Sequence, residues 1–233
     1  NNPGLINSDK RYDSIKTQLI GQRKSHDEIF SGSIYSLQLN GNSIVENAKI
    51  ISNSFSIFGF TPIDLPINNV SNSKNFIWFD KSGFLNLENS NGVREWKSSQ
   101  SFGSTSLYIE QDKGRDNLKE RIYINNRVVT ADINNDGISE IITVNNSDVA
   151  KGYLSGYRKF NNGHIQIMAW NNSSMVDIWK SNPSTGYISD FSVIDINGDN
   201  YPEVVYSVVT DNGVVMSKSH GTIFIEKIID YQK

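Results

Sequence analysis

The chain has 233 residues, a formal net charge of −3 and a sequence pI of about 5.6, which exclude a basic surface for nucleic acid or an acidic membrane. A hydrophobic fraction of 37% and an aromatic fraction of 11% are typical of a globular protein, and no apolar run of about 18 residues predicts a transmembrane segment. Because the chain contains no cysteine, disulfides and thiolate metal sites are excluded.

Short strand-like runs dominate the chain, and no window shows the apolar spacing of a sustained helix. These runs are rich in β-branched and aromatic residues and are bounded by Gly, Asn, Ser or Asp. The predicted strands are Ile34–Leu39, Phe55–Phe60, Phe76–Asp80, Phe84–Leu87, Val128–Ala131, Ile141–Val144, Ile165–Trp170, Val176–Trp179, Phe191–Ile194, Val204–Val209 and Ile223–Ile228. They predict an all-β protein.

A unit of glycine followed by alternating apolar residues recurs four times, beginning at Gly32, Gly83, Gly163 and Gly221. With the neighbouring runs, each unit is predicted to form up to four strands over roughly 50–65 residues, the size of a propeller blade. We therefore expect a single domain over 1–233 with four-stranded blades at approximately 1–50, 51–99, 121–181 and 186–233, and an insertion at 100–120.

Two loops place oxygen-bearing side chains at positions 1, 3, 5 and 9, a spacing that lets a tight turn surround one hard cation. Asp132–Glu140 is the first loop, and Asp195–Glu203 follows it by 63 residues. The candidate ligands are Asp132, Asn134, Asp136 and Glu140 with the carbonyl of Ile138, and Asp195, Asn197, Asp199 and Glu203 with that of Tyr201. A third loop after Asp64 lacks matching ligands, and no metal is expected there.

An EF-hand begins with the same string of residues but needs a glutamate at position 12 and a helix on each side. Position 12 is Thr143 in the first loop and Tyr206 in the second, and both flanks are predicted strands. The EF-hand is therefore excluded. An ion-free turn rich in Asp and Asn remains the alternative, although converging carboxylates repel one another without a cation.

The two loops with their strand flanks, together with Phe58-Gly59-Phe60, resemble the FG-GAP/VCBS-type repeats of β-propellers, the family that includes the integrin α-subunit head. The chain is also similar to bacterial exported proteins that carry such repeats. The resemblance implies a propeller, or part of one, in which each of the two loops holds a structural Ca²⁺ ion between the first two strands of a blade.

Two features depart from that family. Asn200 stands where the second loop would have glycine, and the family's rings usually contain more than the four blades visible here. Since the chain begins at Asn1 without a visible signal peptide, we expect it to be a processed or partial piece, with further blades on a missing segment or on another chain.

Other sites of chemistry have little support in the sequence. His26, His164 and His220 are too far apart for a zinc site, and neither a nucleophile elbow nor a phosphate-binding glycine loop occurs. Trp78, Trp96, Trp170 and Trp179 are expected to pack between blades, with a sugar-stacking platform as the alternative. Two segments are candidate contact loops for a partner: Gln100–Glu120 and Gly152–Phe160.

The expected function is a non-enzymatic scaffold or adhesion module whose loop face binds a protein or a glycan. We expect it outside the cytoplasm, in the periplasm, on the cell surface or secreted, where calcium-rich surroundings keep such loops filled. One alternative is a propeller-based carbohydrate-active enzyme or lectin. Two carboxylates, or a Tyr/His/Arg cluster, that converge in a deep pocket on the face opposite the calcium loops would favour the enzyme. Another is a structural subunit that completes a multi-chain assembly.

Overall fold

The computed structural model of the protein describes residues 19–23, 30, 32–51, 55–67, 74–89, 91–112, 119–150, 157–199, 201–210 and 219–228. They form antiparallel β-sheets and one 3-10 turn, Ile57–Gly59, and no α-helix occurs within these ranges. The prediction of an all-β protein is therefore confirmed. Within the same ranges, no helix is long and apolar enough to cross a bilayer.

The chain divides into two compact units, Asn1–Ile57 and Phe58–Lys233. The first contains one sheet of three strands, β1 (Leu19–Gln22), β2 (Ile34–Asn40) and β3 (Ser43–Ile51), in that order. The Gln22 side-chain amide holds residues 55–57 to this sheet. Its Nε2 donates to the Phe55 carbonyl at 2.7 Å, and its Oε1 accepts from the Ile57 N–H at 3.0 Å.

The described part of the second unit contains three sheets of three to five strands and a two-stranded hairpin. The first sheet is β4 (Phe60–Asp64), β5 (Lys74–Phe79), β6 (Phe84–Asn89) and β7 (Arg94–Ser101). The hairpin is β8 (Tyr108–Asp112) and β9 (Lys119–Tyr123). The next sheet is β10 (Val129–Ala131), β11 (Glu140–Asp148), β12 (Phe160–Trp170) and β13 (Met175–Lys180), with β14 (Ser184–Thr185) also paired to β12. The last is β15 (Tyr187–Ile194), β16 (Glu203–Thr210) and β17 (His220–Lys227).

The predicted strand Phe55–Phe60 is wrong over most of its length. Residues 57–59 form the 3-10 turn, and the strand begins only at Phe60. Gly59 is buried at this turn, and a Cβ there would lie 3.0 Å from the Phe79 ring, so the chain passes closely over a core aromatic residue. Apolar composition alone does not distinguish such a turn from a strand. Each of the other predicted strands overlaps an observed one.

The middle sheet, β10–β13, is buried on both faces. On one face, Ile141 and Met168 join a core cluster with Ile77, Leu85 and Leu87 of the preceding sheet. On the other face, a second cluster joins the middle sheet to the last one, with the members Ile142, Val144, Ile165, Ile167, Ile188, Phe191, Val204, Tyr206 and Val208. The three sheets therefore stack face to face. Burial of each isoleucine side chain contributes about 2–3 kcal/mol to the stability of the fold.

A buried amide links the middle sheet to its surroundings. Asn146 is 6% exposed; its Nδ2 donates to the carbonyls of Ser104 (2.8 Å) and Ile188 (2.9 Å), and its Oδ1 accepts from the Ile188 N–H at 2.9 Å. Three bonds to backbone groups of two other segments fix the spacing between β11 and β15.

Candidate metal-binding loops

The two candidate loops occupy the same place in two successive sheets. The first joins β10 to β11, where Ala131 pairs with Glu140 across the loop. The second joins β15 to β16, where Ile194 pairs with Glu203. The second pair follows the first by 63 residues, so the repeat in the sequence is also a repeat of strand register.

In the first loop, the side chains at positions 1, 3 and 5 fold back onto the loop's own backbone. The carboxylate of Asp132 accepts from the N–H groups of Asp136 and Gly137 at 3.1 and 3.0 Å. Asn134 Oδ1 accepts from the Asp136 N–H at 2.9 Å, and Asp136 Oδ1 accepts from the Ile138 N–H at 2.8 Å. These bonds fix the conformation of the turn.

Glu140, at position 9, lies beneath this turn and is only 1% exposed. Its Oε2 accepts from the Ile133 N–H at 2.8 Å, and its Oε1 accepts from Asn134 Nδ2 at 3.3 Å. Burial raises the pKa of Glu140 to about 7, and the negative charges of Asp136 and Asp132 add to the rise. No ion pair to these three acids occurs among the described residues.

The second loop repeats the arrangement around its own glutamate. Glu203 is 4% exposed, and its Oε2 accepts from the Ile196 N–H at 3.0 Å. Its Oε1 accepts from Asn197 Nδ2 at 3.0 Å. Position 9 is therefore bonded by positions 2 and 3 in both loops.

The turn of the second loop is also built from its own side chains. Asp195 Oδ1 accepts from the Gly198 N–H at 2.7 Å, and Asn197 Oδ1 accepts from the Asp199 N–H at 2.8 Å. Asp199 Oδ1 accepts from the Tyr201 N–H at 2.9 Å. Ile138 and Tyr201 therefore both occupy position 7 of their loops, and the N–H of each donates to the aspartate at position 5.

Left-handed backbone occurs at the fourth position of each loop. Asn135 has a φ of 59° in the first loop and Gly198 has a φ of 78° in the second. Gly137, at position 6 of the first loop, has a φ of 86°, whereas Asn200 of the second lies outside the described residues. The glycine of the second loop thus provides the conformation that an asparagine adopts in the first, as asparagine can.

The loops differ in their electrostatic surroundings. Lys227 Nζ lies 3.7 Å from Asp199 Oδ2. The pKa of Asp199 is lowered, first by the hydrogen bond from the Tyr201 N–H and also by the nearby charge of Lys227. Because this lysine offsets part of the negative charge, we expect the second loop to bind a cation more weakly than the first.

The donor atoms of both loops are oxygens of carboxylates, amides and backbone, the set that Ca²⁺ prefers. Hydrogen bonds bring positions 3 and 9 together in each loop. Among the described residues, no three acidic or histidine side chains converge on a single point. The residues present fit calcium by their chemistry and their order along the turn.

Other residues singled out in the sequence have structural positions. His164 lies half-buried within β12, where burial lowers its pKa. His220 is exposed on β17, and His26 lies outside the described residues. Trp78 is 9% exposed, and Trp96, Trp170 and Trp179 are partly buried against the core clusters. Asp64 ends β4 in register with Lys74 and therefore belongs to the strand rather than to the loop.

The two predicted contact segments meet. Ser106 and Tyr108 from the first and residues 157–158 from the second line one small cleft together with Arg121 and Tyr123, which lie just beyond the first segment. The sequence indicated each segment by its composition, but no motif connects them, because the lining residues come from three parts of the chain.

Comparison with protein-family models finds no model that matches the chain, and comparison with curated proteins finds no match either. The interpretation of the loops therefore depends on their own sequence and geometry.

Proposed function

We propose that the protein is a calcium-binding β-propeller, or part of one, of the FG-GAP/VCBS type, which acts outside the cytoplasm as a non-enzymatic binding or scaffold module. The observation that carries the proposal is the pair of equivalent loops. They share strand register, hydrogen bonds and a buried glutamate at position 9. Two independent turns of ordinary Asp and Asn would have no reason to share all three features.

In this proposal, Ca²⁺ is held by the oxygen atoms of positions 1, 3, 5, 7 and 9 of each loop. When bound, it supplies positive charge that neutralises the carboxylates and fixes the turn between two strands. The protein's own bonds orient the donors beforehand: Asn134 positions Glu140 in the first loop, and Asn197 positions Glu203 in the second. The role of the ion is structural, and it holds rigid sheets whose connecting loops meet a partner.

The propeller is supported by equivalent positions in successive sheets. Residues two and four places after the blade glycine face the next sheet: Leu85 and Leu87, then Ile165 and Ile167, all 0% exposed. Their equivalents in the last sheet, Ile223 and Ile225, are 72% and 60% exposed. We infer that a further sheet covers this face in the functional protein, from another segment or another chain.

Calcium removal tests the proposal. We expect chelation to lower the melting temperature and added Ca²⁺ to restore it, since an ion that binds only the folded state stabilises it by mass action. Metal analysis of the native protein should find two calcium ions per chain, with Mg²⁺ as the control cation. An unchanged melting temperature together with absence of calcium would refute the proposal.

A second candidate function has a specific observation in its favour. The tyrosine–arginine cleft lies near the Asp148 end of β11, while the calcium loop lies at the Glu140 end. A Tyr/Arg cluster in this place is part of the feature that favours a carbohydrate-active enzyme, although the cleft is small and open rather than a deep pocket. Incubation with acidic and neutral polysaccharides, followed by analysis of chain length and of unsaturated products, distinguishes the two functions: we expect no cleavage.

A further inference from the structure

A cleft of about 150 Å³ lies beside the hairpin β8–β9, and its lining residues are Ser106, Tyr108, Arg121, Tyr123, Tyr157 and Arg158. A protein cavity of about this volume accommodates one benzene molecule, so the open cleft has room for part of a six-membered sugar ring while the rest stays in solvent. Arg158 follows the turn after Asp148, at the end of the nine-residue strand β11 opposite Glu140, and eight steps of about 3.3 Å separate those two strand ends by about 26 Å. The cleft is therefore a separate site.

Aromatic rings and guanidinium groups alternate along its wall. Tyr108 and Tyr123 pair across the hairpin, with ring centroids 5.6 Å apart in an edge-to-face arrangement. The guanidinium of Arg121 lies 4.4 Å from the Tyr108 ring centroid, and that of Arg158 lies 3.9 Å from the Tyr123 centroid. These cation–π contacts fix both arginines in place before a ligand arrives.

The two arginines differ in their charge balance. Arg121 lies 3.7 Å from the carboxylate of Glu110. Arg158 is half-buried, and among the described residues it donates a hydrogen bond to the Thr105 carbonyl at 3.2 Å but has no carboxylate within 4 Å. Burial lowers its pKa, and the charge of Asp148 opposes this at longer range. A partly desolvated guanidinium that makes no ion pair within 4 Å favours an anion, and its fork matches a carboxylate.

The rim of the cleft is open and carries hydroxyl groups. Tyr157 is 52% exposed and Tyr108 is 39% exposed, so both rings are accessible to a ligand from solvent. At the rim, Ser106 Oγ donates to the Tyr187 hydroxyl at 2.8 Å. Tyrosine provides a flat apolar face together with a polar tip, which suits a ring that has both C–H and hydroxyl groups.

We propose that this cleft binds a six-membered sugar ring that carries one carboxylate, a uronic acid residue, with Arg158 on the carboxylate and the tyrosines against the ring. A single guanidinium, its charge offset only at longer range by Asp148, matches one negative charge better than the two charges of a phosphate. The proposal names the ligand class of the binding module and in that sense rests on the proposed function.

Titration of the calcium-loaded protein with D-glucuronate, followed by calorimetry or NMR, tests the proposal. We expect saturable binding that weakens with added salt, whereas D-glucose, which lacks the charge, and acetate, which lacks the ring, bind at least about tenfold more weakly. Tighter binding of benzoate than of glucuronate would overturn the assignment to a sugar. Equal binding of acetate would overturn the requirement for a ring, and absence of saturable binding would overturn the site itself.

Matched variants locate the site. Arg158→Gln should weaken glucuronate binding at least about tenfold, and Tyr157→Ala, a change at an exposed side chain, should weaken it severalfold without affecting folding. Arg127→Gln is the control, because Arg127 is exposed and paired with Asp190 at 2.7 Å; its affinity should equal that of the wild type. Unchanged binding in both test variants would refute the assignment.

The calcium-dependent rise in melting temperature is measured on the same proteins. Arg158→Gln should retain it. If the wild type shows the rise but does not bind glucuronate, only the ligand proposal fails; if the rise is absent from the wild type, the calcium function fails irrespective of the cleft.

Discussion

Glu140 combines deep burial with the charges of two neighbouring aspartates, and its carboxylate accepts hydrogen bonds from backbone N–H groups and from the Asn134 amide but forms no described ion pair. A carboxylate in these surroundings either keeps a proton or needs a cation. Glu203 occupies the same position, but Lys227 lies beside its loop. At the scale of the residue, the two loops therefore share a design and differ in the charge that a cation would meet.

The pH dependence of stability without calcium follows from Glu140. Its pKa rises from an ordinary value of 4.5 to about 7 in the folded chain, so between these values the folded protein keeps a proton that the unfolded chain has lost. This group's contribution to stability is therefore lost as the pH rises from about 4.5 to about 7 and is constant above. We expect Glu140→Gln to remove that component, measured as the difference between the melting temperatures of the two proteins in chelator. Parallel profiles for both would contradict the prediction.

Substitution of the position-9 glutamates separates the two sites. Glu140→Gln and Glu203→Gln should each weaken calcium binding in their own loop at least about tenfold and leave one strong site per chain. Titration calorimetry in calcium-depleted buffer measures both. Without calcium, Glu140→Gln should be at least as stable as the wild type at neutral pH, because it removes a buried negative charge. Glu110→Gln, in the exposed hairpin, is the control, and a wild-type number of sites in both loop variants would rule out these ligands.

At the scale of the element, the glycines that begin the repeated sequence units have different surroundings in different sheets, as Gly163 and Gly221 show. Gly163 pairs with Asn146, and a Cβ there would overlap the Asn146 Oδ1 atom. That amide makes three bonds to backbone groups, so it has no room to move. Gly221, the equivalent residue of the last sheet, has open space around it.

The two glycines therefore form a matched pair. We expect Gly163→Ala to reduce the free energy of unfolding by about 2–4 kcal/mol, through overlap and the loss of buried hydrogen bonds. Gly221→Ala should change it by less than about 1 kcal/mol. Chemical denaturation of both variants measures the difference, and equal losses would show that Asn146 does not restrict this position.

At the scale of the whole molecule, the sheets of the second unit are successive layers, and the last layer has an apolar face that no described residue covers. Ile167 and Ile225 hold equivalent positions but are 0% and 60% exposed. The same sequence pattern thus contributes more to folding stability where another sheet covers it than where none of the described residues does.

We expect Ile167→Ala to destabilise the chain by about 2–5 kcal/mol and Ile225→Ala by about 0.5 kcal/mol or less. Denaturation of each variant at low concentration, with the molecular mass measured by light scattering, checks both values. A large loss at Ile225 would show that this face is covered in solution, and the measured mass would show whether the cover is a second copy.

Much of the fold could be predicted because its signals are local. Alternating apolar residues marked most strands of the larger sheets, and the glycine-led units marked their repetition. The hairpin β8–β9 was not predicted, because its residues are polar and charged and its two strands stabilise each other through cross-strand pairs such as Tyr108 with Tyr123. The turn at Ile57–Gly59 was missed because close packing against Phe79, rather than composition, sets it.

The candidate sites divide in the same way. The sequence by itself determined the order of oxygen donors in Asp132–Glu140 and Asp195–Glu203, because a tight turn of fixed length brings nearby residues together in any sheet. Only the tertiary structure decided that Glu140 and Glu203 are buried beneath their turns, that Lys227 lies beside one loop only, and that Arg158 meets Tyr123. These contacts join residues 20 or more positions apart, or depend on neighbouring strands, and strand pairing and sheet stacking, not spacing along the chain, bring them together.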